Sequence, residues 1–137
     1  MEYKSKNRKK YYLKAHLVFV TKYRKKLFLN LDMDFKIKDL FHGIAKKRDF
    51  IIEAMETDKN HIHLLVSYLP NISISSIVRS LKQNSTYWIW KEYSNYLSKI
   101  YFKEKTFFSD GYFVSSVGEI DEDTINKYIK DQGKEIR

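Results

Sequence analysis

The strongest constraint on the fold comes from residues 60–68, where polar and apolar residues alternate. Successive side chains of a strand project to opposite faces, so this period of two predicts a β-strand. His61 and His63 then share one face, and the aliphatic residues between and after them occupy the other. Two imidazoles on one strand face can bind a divalent cation if a third ligand arrives from elsewhere in the fold. A purely structural pair in a core strand explains the pattern about as well.

The charge balance points to a polyanionic partner. The chain has 137 residues, enough for a single domain over residues 1–137 with its own hydrophobic core. It carries 26 Lys and Arg against 17 Asp and Glu, a formal net charge of +9. Such an excess favours nucleic acid through counterion release, with an anionic membrane surface as the weaker alternative.

Several other classes of function are disfavoured by what the sequence does not contain. No run approaches the roughly 18 apolar residues of a membrane span. Residues 1–10 are basic and have no apolar signal segment, so we expect a flexible N-terminus and a cytoplasmic protein. The absence of cysteine excludes disulfides, thiolate nucleophiles and Cys-type zinc sites.

Three further strands are predicted. Residues 11–20 alternate in the same way, with Leu13, Ala15 and Leu17 on the buried face and His16 opposite them, on the side of the histidine site. A strand over residues 50–57 should pair with the histidine strand through a turn at residues 58–60, and strict alternation would put Ile52 and Ala54 on one face. A final strand is predicted within residues 107–118, after a turn.

Two amphipathic helices separate these strands. The first should begin at Asp32 or Asp34, and the second at Ser73, because each can cap a following run of apolar residues spaced three and four apart. The second helix is predicted to reach Leu97, with an irregular connection over residues 94–106.

A third helix is predicted near the C-terminus. Residues 121–123 are acidic and are followed by Thr124, a composition typical of the start of a helix. Gly133 suits the end of that helix. Within it, Tyr128 and Gln132 are one turn apart on the same face. Simple packing of this helix against a sheet also explains the spacing.

The order strand, helix, strand, strand, helix, strand predicts an α+β protein with the ferredoxin-like or RRM-like split βαβ fold. In that fold the sheet is antiparallel and the helices cover one of its faces. The histidines would lie near the middle of the other, accessible face. The C-terminal helix could return over that face and bring Tyr128 towards them.

Four ordered segments carry a family resemblance: residues 21–25 (TKYRK), 61–66 (HIHLLV), 108–114 (FSDGYFV) and 124–132 (TINKYIKDQ). Together they resemble the single-tyrosine HUH transposases that move insertion sequences of the 200/605 type as single-stranded DNA. The similarity runs from about Tyr11 to Gln132.

The resemblance implies a site and a reaction. His61, His63 and Gln132 would bind Mg²⁺ or Mn²⁺, and Tyr128 would attack phosphorus, leaving a 5′-phosphotyrosine link and a free 3′-OH without a nucleotide cofactor. It also implies a prokaryotic homodimer with active sites composed in trans, and hairpin-forming single-stranded DNA ends as partner. The assigned DNA contacts are Lys22, Tyr23, Arg24, Arg79 and Lys82, although the basic run around Tyr23 also suits a solvated loop.

Two alternatives remain open at the level of sequence. An HUH nickase of the replication-initiator or relaxase class would share the histidines and the tyrosine, but such proteins usually carry further domains. A non-catalytic RNA-binding module on the same fold would use sheet aromatics and basic loops and would need neither Tyr128 nor a metal.

Overall fold

The computed structural model describes residues 13–117. The predicted helix with Tyr128 and Gln132, and the basic residues 1–10, lie outside the described residues. The elements in chain order are β1 Leu13–Val20, two short 3-10 turns at Lys22–Arg24 and Leu27–Leu29, α1 Leu31–Arg48, β2 Ile51–Thr57, β3 His61–Tyr68, α2 Ile74–Tyr101 and β4 Phe113–Val117.

The four strands form one sheet in the order β2-β3-β1-β4, and every neighbouring pair is antiparallel. This order is that of the split βαβ plan, so the predicted ferredoxin-like fold is confirmed. In the pairing of β1 with β3, Val20 lies opposite His61 and Val18 opposite His63. Directly opposed residues of an antiparallel pair project to the same face. The histidines therefore share their face with these two valines.

The opposite face of the sheet packs against both helices. Leu17 and Phe19 of β1, and Leu64 of β3, are fully buried there against Phe41 of α1 and Leu81 of α2. The hydrophobic core thus lies between one sheet face and the helix layer, as the alternation in the sequence predicts.

A β-bulge in β2 overturns the predicted faces of this strand. Ile52 pairs with Val66, but the next paired residue, Ala54, is opposite Leu65, so the register shifts at Glu53. A bulge adds one residue to one strand, and side chains after it change faces. Ile52 and Ala54 are therefore on opposite faces, and Glu53 accepts a hydrogen bond from the Ser67 hydroxyl on the histidine face.

The start of α1 also differs from the prediction. Asn30, rather than Asp32 or Asp34, is the N-cap, and its Oδ1 accepts hydrogen bonds from the backbone N–H groups of Asp32 and Met33. The two aspartates instead lie in the first turn, where a negative charge interacts favourably with the helix dipole. Ser73 caps α2 as predicted, by accepting from the Ser76 N–H.

Helix α2 is longer than predicted. The first half of residues 94–106, which were predicted as an irregular connection, is helical. The helix continues to Tyr101, with a local departure from helical geometry at Tyr93 (φ −124°, ψ 35°). Leu97 and Tyr101 are buried, and the Tyr101 hydroxyl donates to the carbonyl of Lys22 at 3.0 Å. Although α2 has 28 residues, no helix within residues 13–117 is long and apolar enough to cross a membrane.

The buried end of α2 gives a stability prediction. Leu97→Ala should lower the free energy of unfolding by about 2–5 kcal/mol, because a fully buried leucine leaves a cavity on truncation. Lys99→Ala, an exposed position two residues away, should change it by less than about 0.5 kcal/mol. Urea unfolding measures both. Equal effects of the two substitutions would contradict the packed C-terminal half of α2.

Candidate active site

The two predicted metal ligands lie side by side at the start of β3. The ring centroids of His61 and His63 are 6.0 Å apart with an interplanar angle of 24°, so the strand alternation places them on one face as predicted. The His61 side chain is partly exposed. His63 is only 4% exposed, so the predicted accessible face is wrong for this residue.

Asp58 is a site residue that the sequence analysis treated only as part of a turn. Its side chain is fully buried, with Oδ1 3.2 Å from His61 Nδ1 and Oδ2 3.7 Å from His63 Nε2. Oδ1 also accepts from the backbone N–H groups of Asn60 and His61. One carboxylate thus fixes the turn and contacts both imidazoles. The available signal was an Asx-type residue directly before a strand that carries histidines.

The Asp58 contact determines the tautomer of His61. An ionised carboxylate can only accept hydrogen bonds, so His61 Nδ1 must carry the proton that lies between the two groups. Nε2 of the neutral ring is then left with its lone pair, which is the form that binds a metal. Burial lowers the pKa of His63, partly opposed by Asp58, and this also favours a neutral ring.

His16 extends this row of imidazoles. Its ring stacks on His63 at a centroid distance of 6.0 Å and an interplanar angle of 16°. The prediction that His16 faces the site is therefore confirmed. Burial lowers the pKa of His16, and the neighbouring His63 lowers it further. The lowered pKa values of His16 and His63 favour the uncharged forms of these two rings.

The described part of the site fits an incomplete metal centre. Within residues 13–117 no group of three His, Asp or Glu side chains has an arrangement that could hold a metal ion. Yet both ring nitrogens of His63 and Oδ2 of Asp58 are buried and have no hydrogen-bond partner among these residues. Buried polar atoms are normally satisfied, so such a cluster favours an additional ligand-binding role. Gln132, the predicted third ligand, and Tyr128 lie outside the described residues.

The predicted DNA contacts at residues 22–24 lie in a constrained loop next to the histidines. Tyr23 and Arg24 have positive φ angles of 58° and 54°, a backbone conformation that is unfavourable for residues other than glycine. The Thr21 N–H donates to the Asn60 carbonyl at 2.9 Å, directly before His61. The Tyr23 hydroxyl donates to Glu104, which raises the pKa of this tyrosine.

Lys82 has a structural role that the sequence analysis did not anticipate. Its ammonium donates to the backbone carbonyls of Ser109, Asp110 and Gly111 at 2.8, 3.1 and 2.7 Å. An ammonium has three donors, so all of them are used within the chain. Burial lowers the pKa of Lys82. The predicted DNA contact of Lys82 stays a prediction, whereas the geometry shows a residue that holds the loop before β4.

Arg79 lines a large open groove between α2 and the segment that follows it. This α2 groove has a volume of about 1120 Å³. Its lining combines basic residues and aromatic rings with one carboxylate, Asp110. The basic members are Arg79, Lys82, Lys91, Lys103 and Lys105, and the aromatic ones include Tyr87, Trp90 and Phe102. Cations with exposed rings are the composition of single-stranded nucleic-acid grooves.

Comparison with known proteins decides the family. The sequence profile described as "Transposase IS200 like" matches residues 9–132, which is nearly the whole chain. The chain belongs to the IS200-like transposase family. This membership supports the transposase interpretation over the nickase and the RNA-binding module.

Individual relatives agree with the family. The IS200 transposase of Salmonella typhimurium is 28% identical over 122 residues, which cover 89% of this chain and 78% of that one. The ISDra2 transposase TnpA of Deinococcus radiodurans is 29% identical over 122 residues, covering 89% of this IS200-like chain and 85% of the relative.

Solved structures show the same fold. A transposase structure from Deinococcus radiodurans superposes with a TM-score of 0.69 at 26% identity, over 88% of this IS200-like chain and 90% of that one. A REP-associated tyrosine transposase bound to a REP hairpin has a TM-score of 0.64 at 14% identity, over 86% of this chain and 64% of the other.

The Asp58 contact gives a spectroscopic prediction for the site. In the wild-type protein, neutral His61 should be the Nδ1–H tautomer, because Asp58 only accepts. Asp58→Asn keeps Oδ1 for the turn and for His61 but replaces Oδ2 with an amide donor that faces His63 Nε2, so the Nδ1–H fraction of neutral His63 should rise while His61 keeps its tautomer. Long-range ¹H–¹⁵N NMR of the imidazoles reports both tautomers.

Asp58→Ala is the matched control, since it also removes the acceptor of the turn. It should lower the free energy of unfolding by about 1–3 kcal/mol more than Asp58→Asn does. A His61 ring that is Nε2–H in the wild type, or a His63 tautomer that is unchanged in Asp58→Asn, would show that the carboxylate does not set the tautomers.

Proposed function

We propose that this transposase cleaves and rejoins single-stranded DNA at insertion-sequence ends through attack of Tyr128 on phosphorus. The observation that carries the proposal is the row of Asp58, His61 and His63, which places two imidazoles beside one buried carboxylate. The family match extends to residue 132 and thus includes both Tyr128 and Gln132.

His61 and His63 would hold a divalent cation together with Gln132. Two imidazoles and an amide oxygen are a weak ligand set, which suits Mg²⁺ or Mn²⁺ with open positions for substrate better than a structural zinc. Held by these residues, a cation would supply Lewis-acid stabilisation of the charge that develops on the scissile phosphate. Within residues 13–117, both ring nitrogens of His63 and Oδ2 of Asp58 have no hydrogen-bond partner, which supports this assignment.

The reaction is a balanced exchange of phosphodiester bonds. The Tyr128 oxygen forms a bond to phosphorus while the bond from phosphorus to the 3′ oxygen breaks, and the released 3′ oxygen takes up a proton. The tyrosine loses its own proton, which costs free energy at neutral pH because the unperturbed pKa is near 10. The 5′-phosphotyrosine link conserves the bond energy, so another 3′-OH can reverse the step without a nucleotide cofactor.

Hairpin-forming DNA ends are the proposed partner. A structural neighbour of the same fold was solved bound to a REP hairpin. In this chain the α2 groove offers Arg79, Lys91 and further lysines with only Asp110 as lining carboxylate, so its charge is complementary to a DNA backbone. The loop at Lys22 and Arg24 adds basic side chains near the histidines.

A homodimer with active sites composed in trans is proposed for the assembly. Strand β4 pairs with β1 along one edge, and within residues 13–117 no strand pairs with its other edge. Val114 on this strand is exposed. Proteins usually protect such an apolar edge, and a second copy of the same strand across a two-fold axis would do so.

Covalent capture of the cleaved strand tests the chemistry. Incubation with 3′-labelled single-stranded element ends and Mn²⁺ should give a protein–DNA adduct that survives denaturing electrophoresis, because the downstream fragment stays on Tyr128. Tyr128→Phe should reduce this adduct by about 10³-fold or more, since no other group can replace the nucleophile. His61→Ala should also lose it while hairpin binding is retained.

Tyr68→Phe is the control for removal of a tyrosine hydroxyl, because Tyr68 lies at the opposite end of β3 from His61 and does not line the α2 groove. It should form the adduct at the wild-type level. An adduct that persists in Tyr128→Phe would refute the nucleophile, and undiminished cleavage by His61→Ala would refute the metal role.

Mixed dimers test the arrangement in trans. His61→Ala and Tyr128→Phe proteins are each inactive in the proposed scheme, but a heterodimer joins the intact histidines of one to the tyrosine of the other. After random re-association, about half of the dimers are heterodimers, and each heterodimer has one intact site out of two. About one quarter of the wild-type activity should therefore return. If the tyrosine acts in cis, mixing will restore no adduct.

A further inference from the structure

A second cavity lies on the histidine face, at the junction of the basic loop and β4. This aromatic pocket has a volume of about 460 Å³ and is lined by Val20, Tyr23, Arg24, Gly111, Tyr112 and Phe113, with Thr21 and Ser109. Its volume is within the roughly 300–1,000 Å³ of sites that hold small-molecule-sized ligands.

Strand register places the aromatic pocket next to the metal ligands. Val20 is directly opposite His61, and Val18 is opposite both His63 on one side and Phe113 on the other. Opposed residues share a face, so the Val20 and Phe113 walls of the pocket project to the same side of the sheet as the histidines. A ligand in the pocket would therefore adjoin the candidate active site.

Among the described residues, the lining combines exposed aromatic rings with a guanidinium and includes no carboxylate. Tyr23, Tyr112 and Phe113 are 63%, 37% and 69% exposed. Stacking on aromatic rings binds nucleobases with little dependence on sequence, and arginine pairs with phosphate. This chemistry matches one unpaired nucleotide better than an apolar ligand or a cation.

Both walls of the pocket are held in place by hydrogen bonds. The carbonyl of Lys25 accepts from the Thr21 hydroxyl at 2.6 Å, and that of Arg24 accepts from the Asn60 side chain at 3.4 Å, which fixes the loop with positive φ angles. On the opposite wall, the ammonium of Lys82 fixes the carbonyls of Ser109 and Gly111. Backbone strain that is maintained in this way is typical of functional sites.

We propose that the aromatic pocket binds one unpaired nucleotide of the substrate strand, beside the phosphate that Tyr128 attacks. The base stacks among Tyr23, Tyr112 and Phe113, and Arg24 pairs with the backbone phosphate. The assignment rests on the proposed cleavage of single-stranded DNA and adds a positioning site to it. Pairing of β4 with a second copy would use its backbone edge and leave the Phe113 ring available.

Photo-crosslinking tests the pocket without any cleavage. The probe is a thymidine dodecamer with one 5-iodouracil, and the protein carries Tyr128→Phe so that no adduct can form by catalysis. Irradiation should couple the base to Tyr23, Tyr112 or Phe113, as mapped by mass spectrometry. Coupling confined to Tyr87 or Phe102 would place the strand in the α2 groove only and overturn the proposal.

Matched substitutions give a second readout by fluorescence anisotropy with the same dodecamer. Tyr112→Ala and Tyr23→Ala should each weaken binding about tenfold, the loss expected for one stacked base. Tyr23→Phe should bind the dodecamer like the Tyr128→Phe parent, because the ring that stacks on the base is kept and the lost hydroxyl donates to Glu104. Size-exclusion chromatography checks that these variants keep the oligomeric state of the parent, and unchanged affinity in both alanine variants would overturn the pocket.

The two proposals fail separately. If the wild-type protein forms the covalent adduct but the dodecamer does not couple to the pocket, the nucleotide site is wrong and the cleavage reaction stands. If coupling occurs but no adduct forms with any element end, the pocket is a single-strand binding site and the proposed reaction is wrong.

Discussion

The burial of β3 on both faces is the constraint on which the rest of the site depends. Ile62, Leu64 and Val66 pack under the helices, while His63 and Leu65 are buried on the opposite face. Polar groups on a strand that is buried on both faces destabilise the folded state if they have no hydrogen-bond partner. The buried Asp58 carboxylate at the start of the strand partly meets that demand, since it contacts both histidine rings and two backbone amides.

Period and spacing were sufficient to predict the fold, because they record which side chains face the core. Alternation identified β1 and β3 and their faces, and the helical spacing after Ser73 identified α2. The bulge at Glu53 was not predictable in this way, since it depends on the pairing partner and not on the strand's own pattern. The last turn of α2, after Leu97, was not predicted, because there Tyr101 is held by a tertiary hydrogen bond to the carbonyl of Lys22.

For the candidate site, the sequence identified the histidines but not the residue that orients them. His61 and His63 are recognisable because the two histidines repeat with the period of the strand. Asp58 is in a turn, and its approach to two rings is created by the way that turn folds. Net charge predicts a polyanionic partner, but it does not show which lysines are available to that partner. The ammonium of Lys82 donates to three backbone carbonyls of its own chain.

The loop that Lys82 holds through three backbone carbonyls separates the α2 groove from the aromatic pocket. Ser109 lines both the α2 groove and the aromatic pocket, so the loop that Lys82 holds is a wall common to the two. If DNA occupies both, a strand that leaves the groove reaches the histidine face across this loop, and its path depends on where the loop lies. Loss of the Lys82 donors would then disturb the position of the strand at the site, because these donors hold the carbonyls of the loop. Such an effect differs from the loss of Arg79, whose charge would act on affinity alone.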